Sequence, residues 1–414
     1  MRVCIHRGSA EVGGSCVEVA VDGSRLVIDL GVPLESPMGA QKLLPPTVHL
    51  DHESKDLAGI LVSHGHPDHW GLLGCIDPAV PVYVGAVTAD VLRQAAFFGP
   101  ISTEVTPTEV FRAGQEMTIG AFRVTPHLVD HSAADSYAFE IEAAGRRLLY
   151  SGDLRAHGRR GDLVRDLPAL LGGHVDALLL EGTTVGRPFG AINSLTEFDV
   201  ENQCASLFRR TPGIVLAAYS PQNVDRLISL YRASRAAGRT LVLDLYAATM
   251  AAASANPDAP RWNSPGIRVY VPQAQRVKVK TNRAFDRVRE ISTRRIYPEQ
   301  LAADADTLVL TFRSSMASEI ARAVPLEAAA LLWSMWPGYL DRIDGQRLKT
   351  WLDNHHVSLE VIHSSGHATV EDLQCLAAGI APTALVPIHT AAPNRFDSFF
   401  DNVKRHGDGD WWPV

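Results

Sequence analysis

The sequence predicts an α/β fold in which one unit is interrupted by another. Three observations carry this. In the first half, apolar runs end in an acidic or histidine-rich stretch: Leu57–Val62 before Ser63-His64, Arg147–Ser151 before Gly152-Asp153, and Ala177–Leu180 before Glu181. A run of the same kind, Ala384–Ile388, ends at His389 only near the far end of the chain. Between them strand patterns alternate with helical ones, which implies a parallel sheet. The expected organisation is 1–185 as the first part of one unit, 186–350 as an inserted unit, and 351–414 as the completing part.

The elements follow in order. Cys16–Val21 and Leu26–Asp29 flank Asp22-Gly23, a hairpin turn signal. Pro-rich loop follows from 32 to 56, then a strand, the His-rich stretch and a helix expected to start near Gly71. Val80–Val84 reads as a strand, Thr88–Phe98 as a helix, and Val110–Val124 as two short strands. Tyr137–Ile141 alternates as a strand should. In the insert, Gly213–Ser220 and Thr240–Leu245 read as strands around a helix from Pro221 to Ala237, with Pro221 in its first turn. Thr307–Phe312 and Ala328–Trp333 read as later strands. A strand from Val357 leads to Ser364-Ser365-Gly366-His367, and a helix follows over Glu371–Leu376.

With 414 residues, 46% of them hydrophobic, a large core is available. No uncharged apolar run is long enough to span a membrane, and no secretory leader is read at Met1–Cys4, so a soluble cytoplasmic protein without a membrane partner is expected. The five cysteines form no C-x-x-C pair, so they read as ordinary thiols in a reducing compartment. A net charge of −7 excludes nucleic-acid binding by bulk charge; any such binding would use a local surface. One candidate is Gln273–Ile296, with Arg276, Lys278, Lys280, Arg283, Arg287, Arg289, Arg294 and Arg295. Because Asp286 and Glu290 interleave, a solvated helix face is the alternative.

The chemistry concentrates at Ser63-His64-Gly65-His66-Pro67-Asp68-His69. Imidazole and carboxylate together suit zinc, iron or manganese rather than calcium. A metal held by His64 and His66 needs a third nitrogen. His131 is best placed, with His127 a rival four residues earlier. Asp153, at a strand end, can bridge two metals about 3.5–4 Å apart. His389 offers a nitrogen for the second. The Ser-Gly-His turn at Ser364, Ser365, Gly366 and His367 can present N–H groups and hydroxyls to an anion.

The H-x-H-x-D-H motif resembles the signature of the metallo-β-lactamase superfamily. His131-Ser132-x-x-Asp135-Ser136, Glu181, Ser364–Ala368 and Val386–His389 together resemble its β-CASP branch, and within it ribonuclease J. That resemblance covers nearly the whole chain. It implies an αββα sandwich with an inserted α/β β-CASP domain. It implies that His64, His66 and His131 bind one Zn²⁺, that Asp68, His69 and His389 bind another, and that Asp153 bridges; Mn²⁺ or Fe is the other option. It favours His131 over His127, and it makes Asp29 a support for the metal loop.

The activity implied is phosphodiester cleavage of single-stranded RNA, endonucleolytic or from a 5′ end, in a groove beside the insert. Asp68 would orient a metal-activated hydroxide and His367, supported by Glu181, would protonate the leaving oxygen. Ser364, Ser365, Gly366 and Ser220 would contact substrate. Two departures from ribonuclease J stand out: Gly182 where Ser is common, and only residues 390–414 after His389, so assembly through that family's C-terminal domain is not expected. DNA cleavage, thioester or lactone hydrolysis, a redox di-iron centre and a silent binding subunit are the competing functions. The redox branch places Glu where His66 stands, and silent relatives lose ligands that are all present here.

Overall fold

The computed structural model describes residues 1–34, 43–50, 54–99, 101, 103–187 and 195–414. The chain divides into two compact units, Met1–Ile192 with Gly366–Val414, and Asn193–Ser365.

The first unit is built on two sheets. One runs in the order Trp411–Pro413, Arg2–Arg7, Cys16–Val21, Ser24–Ile28, Leu57–Leu61, Val82–Gly85, Glu109–Phe111. The other runs Ala384–Ile388, Ala177–Glu181, Arg146–Tyr150, Ser136–Ala143, Phe122–Val129, Met117–Ile119. Their facing sides form a single core, in which Val3, Ile5, Val17 and Leu26 of the first sheet meet Phe122, Phe139, Leu148 and Leu179 of the second. Alternation along each strand leaves an opposite apolar face to cover. On the first sheet that cover includes Ala89 and Leu92 of the helix Ala86–Phe98, packed with Val27, Ile60 and Val84. On the second, Leu167 of Asp162–Leu171 and Leu373 of Val370–Ile380 pack with Ala138, Leu149 and Leu178. The result is an αββα sandwich.

The Asp22-Gly23 hairpin forms as its sequence requires: Val21 pairs with Ser24, and both turn residues have positive φ, 39° and 76°. Two details differ from expectation. The helix expected near Gly71 is instead the short turn Pro67–Trp70, with Gly71 ending it. Pro67 presets the first helical φ, so the helix begins inside the metal motif. The helix Asp162–Leu171 was not legible in advance, and it carries Pro168 within it.

The second unit is a seven-stranded sheet, parallel throughout, in the order Arg295–Ile296, Ile267–Tyr270, Thr240–Asp244, Leu308–Thr311, Val215–Ala218, Ala330–Trp333, Ser358–Val361. The strand Ser358–Val361 pairs with Ala330–Trp333, so the sheet is complete only near residue 365. The boundary therefore falls after Ser365 rather than at the expected 350. The helix expected from Pro221 spans Val224–Ala236, because Asn223 caps it by accepting from Arg226 N at 3.0 Å; Pro221 lies in the preceding turn. The helix Glu197–Arg210 and the strand Ile267–Tyr270 went unread in the sequence.

Candidate metal centre

The seven candidate ligands and Glu181 stand where strands of the sandwich end. Leu57–Leu61 delivers His64 and His66 on its exit loop and Asp68 and His69 on the short helix. His131 follows Phe122–Val129, Asp153 follows Arg146–Tyr150, Glu181 closes Ala177–Glu181, and His389 follows Ala384–Ile388. His389 has φ +49°, a left-handed bend that leaves the strand direction at once, and its N–H is held by Gly8 O at 2.7 Å.

Two nests of ligand atoms result. In the first, His66 Nδ1 lies 3.1 Å from both His64 Nε2 and His131 Nε2. Asp153 Oδ2 lies 3.8 Å from His64 Nε2 and 3.9 Å from His131 Nε2. In the second, Asp68 Oδ2 lies 3.5 Å from His389 Nε2 and 4.0 Å from His69 Nε2, and His69 Nε2 is 3.2 Å from Asp153 Oδ2. Donors placed about 2.0–2.2 Å from one tetrahedral ion would sit roughly 3.3–3.6 Å apart. The observed edges bracket that value. His69 Nε2, His389 Nε2 and Asp153 Oδ1 are buried and make no hydrogen bond. Such atoms are costly unless something else satisfies them, and a cation does. Clusters capable of coordinating metal ions are thus present, among them His64 with His66 and His131, and Asp68 with His69 and His389.

The backs of three imidazoles are fixed. His69 Nδ1 is 2.7 Å from Asp29 Oδ2, His131 Nδ1 donates to Gly366 O at 2.6 Å, and His389 Nδ1 meets Thr183 Oγ1 at 2.8 Å. Each contact turns Nε2 toward the site and selects the tautomer that carries a lone pair there. Asp29 is itself held by Ser63 N, Ser63 Oγ and Tyr150 OH at 2.7–2.8 Å.

The electrostatics differ among these side chains. Burial first, then neighbouring imidazoles, pull His64 well below the usual histidine range; burial and the His66 ring do the same to His131. Burial pulls His66 down to about 4. These three imidazoles favour the neutral form, which leaves a lone pair for a cation. His69 moves the other way: burial opposes its charge, but Asp153 and Asp29 raise it well above the ordinary value. Burial would lift Asp153, yet His389 and His69 hold it well below the carboxylate range.

His367 sits at the edge of this group. Its Nδ1 is 3.1 Å from Glu181 Oε1 and 3.8 Å from Asp153 Oδ2. Burial opposes its charge, but Glu181 and Asp153 raise its pKa. Glu181 is fully buried and accepts from Leu154 N at 3.3 Å and Thr183 N at 3.0 Å.

The residues singled out in the sequence fare differently. His64, His66, Asp68, His69, His131, Asp153, Glu181, His367 and His389 come together. His127 stays apart, paired with Glu140 at 2.9 Å. Gly366 uses its carbonyl on His131, and a Cβ there would meet Ser132 Oγ at 2.4 Å. Ser364 is buried in the second unit, where its hydroxyl donates to Leu195 O at 2.6 Å, so that proton is already committed. Ser220 and Ser365 also belong to the second unit. Tyr150, Thr183 and Ser63 were passed over. Each is a neutral residue inside a stretch already noticed, and only its contact reveals its part.

Residues 24–211 match the model of the beta-lactamase superfamily domain. The chain carries a metallo-β-lactamase superfamily domain. The α/β unit added to it follows the metallo-β-lactamase/β-CASP architecture. Ribonuclease J of Sinorhizobium meliloti is 28% identical over 235 residues, 53% of this chain and 39% of that protein. Ribonuclease J of Mycobacterium tuberculosis is 29% identical over 252 residues, 58% of this chain and 43% of that protein. The chain thus matches about two fifths of the length of these relatives. A crystal structure of an Enterococcus faecalis protein of unknown function aligns over 99% of both chains with a TM-score of 0.79 at 21% identity, a likeness of fold. Among the described residues no helix is long and apolar enough to cross a membrane.

Proposed function

We propose that the chain is a zinc-dependent hydrolase that cleaves phosphodiester bonds in single-stranded RNA. What carries this is Asp153: one buried carboxylate within 4 Å of His64, His69 and His131, with the His367–Glu181 pair beside it. His64, His66 and His131 would hold one ion, and Asp68, His69 and His389 the other, with Asp153 shared. The same donors suit Mn²⁺ or Fe. Bound there, two ions supply an acidified water and positive charge beside a phosphoryl group.

The chain's own groups do the rest. Asp68 is placed to orient the attacking water. Glu181, fixed by two backbone N–H groups, holds His367 through Nδ1. The other ring nitrogen, Nε2, can then deliver a proton to a leaving oxygen. The likeness to ribonuclease J supports RNA as substrate. Free thiols at Cys4, Cys16, Cys75, Cys204 and Cys375 support a reducing, cytoplasmic setting.

The test is elemental analysis of the purified protein together with cleavage of labelled RNA and DNA of matched sequence and of a thioester and lactone panel. About two zinc ions per chain and cleavage of RNA are expected. Cleavage of DNA alone would move the chain to a DNA nuclease, and turnover of esters alone would end the nuclease reading.

A further inference from the structure

We propose that the second unit carries a separate surface for single-stranded nucleic acid, built from the excursion between its strands Ile267–Tyr270 and Arg295–Ile296. This surface takes its partner from the nuclease reading above, and it lies on residues outside the metal centre. The excursion is a helix Gln273–Thr281, a second helix Asp286–Glu290, and a 3₁₀ turn Ser292–Arg294. From Arg276 to Arg295 it holds eight Lys or Arg against two carboxylates, in a chain whose net charge is −7. A local excess of this sign, against the sign of the whole, is not explained by solubility alone.

Arg276 pairs with Glu319 at 2.8 Å, outside the run. Lys280, Arg283 and Arg289 are exposed. Arg289 pairs with Asp286 at 2.9 Å, but those side chains are 79% and 90% exposed, so the pair adds little and competes weakly with a phosphate. Two exposed rings accompany them: Phe285, 53% exposed, between Arg283 and Arg287, and Tyr297, 48% exposed, just past the closing strand Arg295–Ile296. The Arg295 guanidinium lies over the Tyr297 ring, 4.7 Å from its centroid.

Exposed rings beside arginines match what an unpaired strand offers, phosphates for the cations and base faces for the rings. An acidic protein would satisfy the charges and leave the rings unused. The sheet ends here in a two-residue strand, Arg295–Ile296, too short to recruit a partner by strand addition.

The experiment measures binding of a fluorescent 2′-O-methyl oligonucleotide of about 20 nucleotides, longer than the ~4–16 that a single-strand groove spans, to the full chain across a salt series. Two variants are compared with wild type: Lys280→Glu/Arg283→Glu/Arg289→Glu and Phe285→Ala/Tyr297→Ala. Both alter exposed side chains, and circular dichroism verifies the fold. Each should weaken binding at least about tenfold. The charge variant should also flatten the slope of log affinity against log salt by about 2, at ~0.7 per phosphate contact.

Wild-type affinity and slope in the charge variant would overturn the surface. So would binding weakened in the charge variant alone with poly-glutamate competing as well as the oligonucleotide, since the partner would then be an acidic chain. Cleavage of labelled RNA by wild type on the same preparation tests the nuclease reading separately. Cleavage with unaltered variant binding sinks this surface alone, whereas binding lost in both variants without any cleavage sinks the nuclease reading and supports the surface.

Discussion

Asp29 gathers four hydrogen bonds, from Ser63 N, Ser63 Oγ, Tyr150 OH and His69 Nδ1, at the end of a strand where its φ is +59°. It touches no other member of the metal clusters, yet it fixes the ring of His69. Asp29→Asn keeps the shape and removes the charge. We expect the zinc affinity of that variant to fall by about 10–100-fold, read by competition with a chromogenic chelator. Unchanged affinity would show that Asp29 only joins strands. His367 lies at the opposite extreme, next to the cluster but held by Glu181. His367→Ala should keep its zinc and its fold and lose at least about a hundredfold in single-turnover cleavage. Loss of zinc in that variant would make His367 a ligand. The unusual Gly182 has a packing cause: a Cβ there would meet the Phe396 ring at 2.3 Å.

Two elements depend on a single polar side chain. Asp135, at φ +63°, accepts from Val87 N at 3.0 Å and Thr88 N at 2.8 Å, so it caps the helix Ala86–Phe98 from a distant loop. Tyr137 OH donates to its other oxygen at 2.6 Å. The His131–Asp135 stretch therefore joins a candidate metal ligand to a helix cap. Asp135→Ala should lower stability by about 1–2 kcal/mol with zinc content intact, measured by urea unfolding. In the second unit, Arg226 is fully buried, pairs with Glu197 at 2.9 Å and donates to Ser334 O at 2.8 Å and Ser334 Oγ at 2.6 Å. Glu197→Ala would leave that guanidinium without its counter-charge. A cost of about 3–5 kcal/mol is expected, in the same unfolding assay. A cost near zero would mean that water reaches Arg226.

At the scale of the molecule, all seven proposed ligands belong to the first unit, although His389 stands far beyond the others in sequence. Zinc should therefore stabilise the first unit preferentially. Hydrogen exchange after chelator treatment should rise in the strands Leu57–Leu61, Arg146–Tyr150 and Ala384–Ile388, with the sheet around Val215–Ala218 little affected. Equal loosening of both units would contradict this.

The same division explains what could be read in advance. His64, His66, Asp68 and His69 were legible because three imidazoles and a carboxylate packed into six residues have few uses besides a cation site. Asp153, Glu181 and His389 were legible because each ends an apolar run, and a strand of period two ends in a predictable place. The Asp22-Gly23 hairpin was legible from its turn residues alone. The sequence by itself therefore determined the residue types of the candidate site, the strands that deliver them and the presence of a second α/β unit. It could not determine that His131 enters the cluster while His127 pairs with Glu140, nor that the second unit keeps the chain as far as Ser365, nor that Tyr150 and Thr183 stand behind the ligands. Those outcomes depend on which side chains meet across sheets and between segments far apart in the chain, and only the tertiary packing brings such atoms within hydrogen-bonding distance.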